Sequence, residues 1–78
     1  MNADYILDQE FSEIIFEEKD IKYKDFENCT FNNCDFTSCD FLAVTFIDCN
    51  FFECNFNDTK INYVSLRGAF LQNVTLPT

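Results

Sequence analysis

The chain has no histidine and no tryptophan, a single glycine, a single proline, and only five basic residues against fourteen acidic ones. Without histidine there is no imidazole to serve as general base, metal ligand or partner of a nucleophilic thiol. One glycine leaves no glycine-rich loop to cradle phosphate and no nucleophile elbow. A formal net charge of −9 removes the positive footprint that nucleic-acid binding requires. No apolar run approaches a membrane span, and Met1 to Asp8 reads MNADYILD, with no basic, apolar, cleavable character. The expectation is a cytoplasmic protein with no membrane and no direct nucleic-acid contact. Its 78 residues allow one domain.

What the chain does have is phenylalanine, eleven in all, and cysteine, five in all. Asp25 to Thr59 divides into blocks of five, DFENC TFNNC DFTSC DFLAV TFIDC NFFEC NFNDT, with Phe second in each and Cys last in five of the seven. On an α-helix five residues advance by about 500°, a net rotation of roughly 140°, so successive Phe side chains would scatter around the axis. On a flat strand an odd spacing would put them on alternate faces. The pattern is satisfied when each block is a short extended piece followed by a corner. Four such sides close a square coil of twenty residues, and residue n then stacks on residue n+20 at about 4.8 Å, the spacing of neighbouring strands.

The units Cys29-Thr30-Phe31-Asn32-Asn33, Cys34-Asp35-Phe36-Thr37-Ser38, Cys39-Asp40-Phe41-Leu42-Ala43, Cys49-Asn50-Phe51-Phe52-Glu53 and Cys54-Asn55-Phe56-Asn57-Asp58 resemble the motif of the pentapeptide-repeat proteins. In that family a small apolar residue precedes Asp or Asn, then Leu or Phe, then two mostly polar residues. The resemblance implies an all-β fold, a right-handed quadrilateral β-helix, here of about three to four coils.

Grouped by twenty, the central residues form four core columns: Phe26, Phe46 and Leu66; Phe31, Phe51 and Leu71; Phe36, Phe56 and Leu76; and Ile21, Phe41 and Ile61. A second inward column carries the small residues Cys29, Cys34, Cys39, Val44, Cys49 and Cys54 and continues with Thr59, Val64, Ala69 and Val74. Residues 21–78 are therefore expected to form the β-helix, with Gly68 at a corner and Pro77 beyond the last core residue. Residues 1–20 keep Ile6, Phe11 and Phe16 in register but place Asp4, Gln9 and Lys19 where small apolar residues belong. They are expected to form an irregular N-terminal cap, with a strand over Phe11 to Phe16 or, alternatively, a short helix.

The cysteines admit several readings. Their spacing matches no zinc pattern, and the chain has no His to serve as ligand or base and carries a net charge of −9 instead of an electropositive setting, so neither a metal site nor a catalytic thiol is expected. Cys29 with Cys49 and Cys34 with Cys54 would stack on neighbouring coils, but parallel side-chain vectors and an odd total count against bridging. They read best as small buried hydrophobes. Acid pairs such as Asp35 with Asp40 or Glu17 with Glu18 lie in no catalytic constellation. The chain is read as a non-enzyme without cofactors.

Function is then sought in departures from the repeat. Leu42, Ile47 and Phe52 follow a central Phe and Phe70 precedes Leu71, at places that face outward, and Tyr63 sits at a corner. Together with Leu71 and Leu76 on the last coil they form a candidate interface for a protein partner or for a homodimer made through the C-terminal coil. The preferred reading is a non-catalytic scaffold. The string from Glu27 to Phe36 also resembles the opening repeats of quinolone-resistance members of the family, which present an acidic, DNA-like rod to type II topoisomerases such as DNA gyrase. That resemblance implies the alternative, an acidic DNA mimic. Against it, residues 1–28 hold nine acids and three bases while residues 29–78 hold five and two, so the charge is gathered at one end.

Overall fold

The computed structural model describes residues 4–61 and 64–77. The chain winds as a four-sided parallel β-solenoid of about 3 turns, with Cα extents of 33 × 22 × 21 Å. Two of the four sides form ladders long enough to be sheets. One holds β1 (Asp4–Leu7), β3 (Lys24–Glu27) and β5 (Thr45–Ile47); the other holds β2 (Glu10–Ser12), β4 (Thr30–Asn32), β6 (Asn50–Phe52) and β7 (Phe70–Gln72). Every pair is parallel and every register step is twenty residues, as in Phe26 with Phe46 and Phe31 with Phe51. Parallel strands need a long crossover between them, and here the other three sides of the coil are that crossover. The remaining two sides are held by single bridges, Ile15 to Asp35 to Asn55 to Thr75 on one and Asp40 to Lys60 on the other.

The corners explain why the period is five. Asp8, Glu13, Tyr23, Asn28, Asn33, Ser38, Ala43, Asp48, Glu53, Asp58, Gly68 and Asn73 all have φ between 53° and 73°. This left-handed conformation suits Gly and Asn best, yet Tyr23, Glu13 and Glu53 adopt it as well, so the stacked coils overrule local preference. Eight of these corner amides, those of Asp8, Glu13, Tyr23, Asn28, Asn33, Ser38, Asp48 and Glu53, reach the next coil. Asn28 N–H donates to the Ile47 carbonyl at 2.9 Å, Asn33 to Phe52 at 2.8 Å and Asp48 to Arg67 at 2.9 Å, a step of nineteen each time. Just past the inward residue the direction reverses: Thr30 N–H donates back to Gln9 at 2.9 Å and Asn50 to Cys29 at 2.9 Å. On the side of Asp35 and Asn55 side chains help form the bend, with the Asp35 carboxylate accepting from Thr37 N–H and the Asn55 carboxamide from Asn57 N–H, both at 2.9 Å.

Phe26, Phe31, Phe36, Phe41, Phe46, Phe51 and Phe56 are buried, with Ile21 and Val44, between the four walls. Rings in one column stack nearly parallel, as Phe31 on Phe51 at 4.9 Å and 6°, and rings in adjoining columns meet edge to face, as Phe31 and Phe36 at 5.6 Å and 67°. Both are favourable aromatic geometries.

Three expectations are corrected in detail. The first twenty residues are less irregular than their sequence: β1 pairs with β3 and β2 with β4 in the ordinary register, with the strand at Glu10–Ser12 instead of running on to Phe16. The irregularity is the single-turn helix α1 (Glu18–Ile21). A regular corner there would turn Lys19 into the column of Cys39 and Thr59. The helical turn leaves Lys19 exposed beside Glu17, 3.7 Å away, while still burying Ile21 completely. Leu66, expected in the core, is 37% exposed, and Ile61 is only partly buried, because both belong to the last coil and have core on one side only.

Candidate interaction surfaces

The thiols are the chemically richest side chains, and their geometry is that of core groups. Cys29, Cys34, Cys39, Cys49 and Cys54 are all buried and all free. Each points its Sγ at the carbonyl oxygen of the residue twenty-three places earlier: Cys29 at Ile6 (3.5 Å), Cys34 at Phe11 (3.5 Å), Cys39 at Phe16 (3.4 Å), Cys49 at Phe26 (3.5 Å) and Cys54 at Phe31 (3.3 Å). A thiol donating to a carbonyl in an apolar interior is held in its neutral form. Burial pushes the Cys39 and Cys49 thiols up to about 11 and raises Cys34 and Cys54, and the carboxylates of Glu18, Asp20 and Asp35 add to the effect at Cys39. No group of metal-ligating side chains occurs among the described residues, and no helix there is long and apolar enough to cross a membrane.

The outward apolar residues separate into three groups. Phe52 and Phe70 meet across neighbouring coils, ring centroids 5.8 Å apart at 53°, because Phe70 pairs with Asn50 and Phe52 with Gln72, making the two rings diagonal neighbours on one face. Phe70 is 52% exposed and Phe52 partly covered. Leu42 is exposed on another side, and Ile47, level with Glu27 in the ladder, is half-buried and offers less surface than its outward place suggests. Leu71 and Leu76, with Leu66, form the apolar centre of the C-terminal end, all more than a third exposed. Tyr63 lies outside the described residues.

A further feature lies at the opposite end, where sequence reasoning expected a cap. An apolar depression of about 380 Å³ opens there, lined by Ile6, Phe11, Ile14 and Phe16 with Asp20 and Lys24 at its margin. Its signal in the sequence is the row of polar residues at inward places, Gln9, Lys19 and Lys24, which cannot fill the space that Cys and Val fill in later coils. Polar side chains tie the first coil to the second: Asn28 donates to Asp8 at 2.7 Å, Asn32 to Glu10 at 2.9 Å, and the Tyr5 hydroxyl to Glu27 at 2.6 Å. The hydrogen bond to Glu27 raises the Tyr5 phenol above its ordinary range.

Comparison with solved structures gives the same architecture. The full-length QnrB1 structure, described as a plasmid-mediated fluoroquinolone resistance protein, superposes with a TM-score of 0.63 at 20% identity over 90% of this chain and 43% of that one. Trypsin-treated forms of QnrB1 superpose at TM-scores of 0.63 and 0.58 with 24% and 25% identity, covering 90% and 91% of this chain and 34% of theirs. The chain thus spans less than half the length of the structures it matches. No curated protein matches it by sequence. The family model for pentapeptide repeats matches in 8 copies over residues 25–58 and 39–76, which takes in all five Cys and the Phe columns from Phe26 onward. With the five-residue corners and twenty-residue coils described above, this chain belongs to the pentapeptide-repeat family.

Proposed function

We propose that the protein is a non-catalytic interaction scaffold. The observation that carries this reading is the Phe52–Phe70 pair: two aromatic rings in contact on the outside of a solenoid whose interior is already filled by Phe. Aromatic side chains that are not needed for the core are the residues most often found anchoring protein interfaces. The five thiols are buried and free, which favours surface recognition as the work of the chain. The C-terminal coil, with Leu66, Leu71 and Leu76 uncovered, is the place where a second copy joins. The five free thiols and the acidic composition favour a cytoplasmic setting.

The second reading is an acidic mimic of DNA acting on gyrase or another type II topoisomerase. It is supported by the likeness of Glu27–Phe36 to the quinolone-resistance proteins and by the net charge of −9. A supercoiling assay with DNA gyrase separates the two. The scaffold reading expects unchanged supercoiling at high micromolar protein, and a dose-dependent inhibition would replace it with the mimic.

A further inference from the structure

The wall made by β4, β6 and β7 is uncharged in a chain of net charge −9. Its outward side chains are Thr30, Asn32, Asn50, Phe52, Phe70 and Gln72, which flank the core residues Phe31, Phe51 and Leu71. The other ladder carries Asp25 and Glu27, and the bridged sides carry Asp35 and Asp40. On this wall a charge stands only in the first coil, at Glu10, and its carboxylate accepts from the Asn32 amide at 2.9 Å. Asp48 and Glu53 belong to the corners that bound β6 and lie outside the wall.

Asn50 pairs with Phe70 and Phe52 with Gln72, so these four side chains form a square whose height is the coil spacing of about 4.8 Å. The rings hold one diagonal and the carboxamides the other. The rings are 5.8 Å apart and inclined at 53°, so they present two walls to a ligand instead of one flat plate. Asn32 is committed to Glu10, while the amides of Asn50 and Gln72 make no hydrogen bond with another described residue.

Folded domains take up peptide segments in a few recurring ways, and this wall suits one of them. Strand addition needs an open edge, but β6, which carries Phe52, is paired on both edges by β4 and β7. An amphipathic helix needs a groove for anchors at i, i+3, i+4 and i+7, a span of about 10 Å, whereas the apolar part of this wall is one pair of rings. A phosphorylated segment needs a cluster of Arg, and Arg67 is the only Arg in the chain. A polyproline II segment needs aromatic rings to seat its prolines and donors for its carbonyls, which have no internal partners. Both are present here, and an uncharged wall matches an uncharged segment.

We propose that the Phe52–Phe70 wall binds an uncharged proline-rich segment of a partner protein in the polyproline II conformation. One residue-proline step sits against the two rings, and the Asn50 and Gln72 carboxamides donate to its carbonyls. The inference rests on the scaffold reading and names the chemistry of the partner.

The test titrates the isotopically labelled protein with three probes and follows its amide chemical shifts: a capped Ala-Pro-Pro repeat peptide, a capped Gly-Ser repeat peptide of equal length, and maltopentaose. The proline peptide should give saturable shifts centred on Asn50 to Phe52 and Phe70 to Gln72, and the Gly-Ser peptide none. Phe70→Ala should weaken the proline peptide about fivefold or more, the loss that marks an anchoring residue. Gln72→Ala, which removes one donor, should weaken it about threefold. Both residues are exposed, so both variants should fold, and Ile15→Ala, 77% exposed on another side, should bind as the parent does. No saturable shift at millimolar proline peptide, shifts centred on another side, or full binding by Phe70→Ala would overturn the proposal. Shifts of the same amides by maltopentaose in place of the peptide would make the wall a sugar surface and overturn it as well. The scaffold reading is judged separately, by the supercoiling assay, in which no proline peptide takes part.

Discussion

The Phe36 ring lies parallel to the Phe16 ring, 4.8 Å away and within 2°, and has Phe56 at the same 4.8 Å distance on its other face at 4°. Phe36 also meets Phe31 and Phe41 edge-on at 5.6 and 5.7 Å, so its removal opens a hole lined by aromatic rings on every side. Each of those rings is fixed by its own wall of backbone bonds and cannot collapse inward. Phe36→Ala is therefore expected to cost about 3–5 kcal/mol, enough to unfold much of a chain this small. Denaturant titration checks this, and a melting midpoint within a degree or two of the parent would show that the column is not the core.

The buried thiols give a pH dependence with a definite sign. Cys39 and Cys49 titrate near 11 in the folded chain, above the ordinary thiol value of about 9, so the folded state holds their protons more tightly than the unfolded state does. The stability they contribute is fully present below about pH 9 and is lost as the pH rises through about 11. Thermal midpoints should accordingly be flat through neutral pH and fall between pH 9 and 11. A Cys39→Ala, Cys49→Ala double variant should show a shallower fall, and an unchanged slope would mean that other groups control that limb. At pH 8 all five thiols should resist a disulfide reagent until the protein is denatured.

The core was legible in the sequence because a five-residue period admits one regular solution, and each member of the Phe columns had to be large to span the coil. The contact between Phe52 and Phe70 was legible for the same reason: places one before and one after the central residue share a face, and twenty residues is one coil. The details at the two ends were not. Helix α1 arises because Lys19 falls where the repeat wants a small apolar residue, and nothing local chooses between burying its stem and bending the chain away. The exposure of Leu66 follows from having no coil above it, which depends on position in the stack and not on the residue itself.

Gly68 is a corner at which an added side chain would meet a neighbour. Its φ is +73°, and a Cβ built there would run into the carboxylate of Asp48, the corner residue one coil below. Other corners carry side chains at similar angles, Ala43 with φ 54° among them, so the backbone tolerates the conformation at a cost of roughly 1–2 kcal/mol. Because the clash is with the mobile end of Asp48, rotation of that carboxylate can relieve it. Gly68→Ala is expected to destabilise by about 1 kcal/mol or somewhat more, and by measurably less in an Asp48→Ala background. Equal penalties in the two backgrounds would show that backbone strain is the whole effect.

Phe52 and Phe70 should be coupled energetically even though one of them is half in solvent. Their rings touch at 5.8 Å and 53°, on a face where Asn32 and Gln72 flank Phe52 along the ladder. Tilted aromatic pairs of this kind contribute about 0.5–1.5 kcal/mol beyond the area they bury. A double-mutant cycle with Phe52→Ala and Phe70→Ala, read by denaturant unfolding, should return a coupling within that range, at its lower end because solvent covers one side. Phe70→Ala alone should lower stability only slightly, since the ring is 52% exposed, and the same variant should weaken any partner that the proposed scaffold holds on this face. A coupling indistinguishable from zero would mean that the two rings move independently, and the face would then lose its claim to be a preformed aromatic anchor.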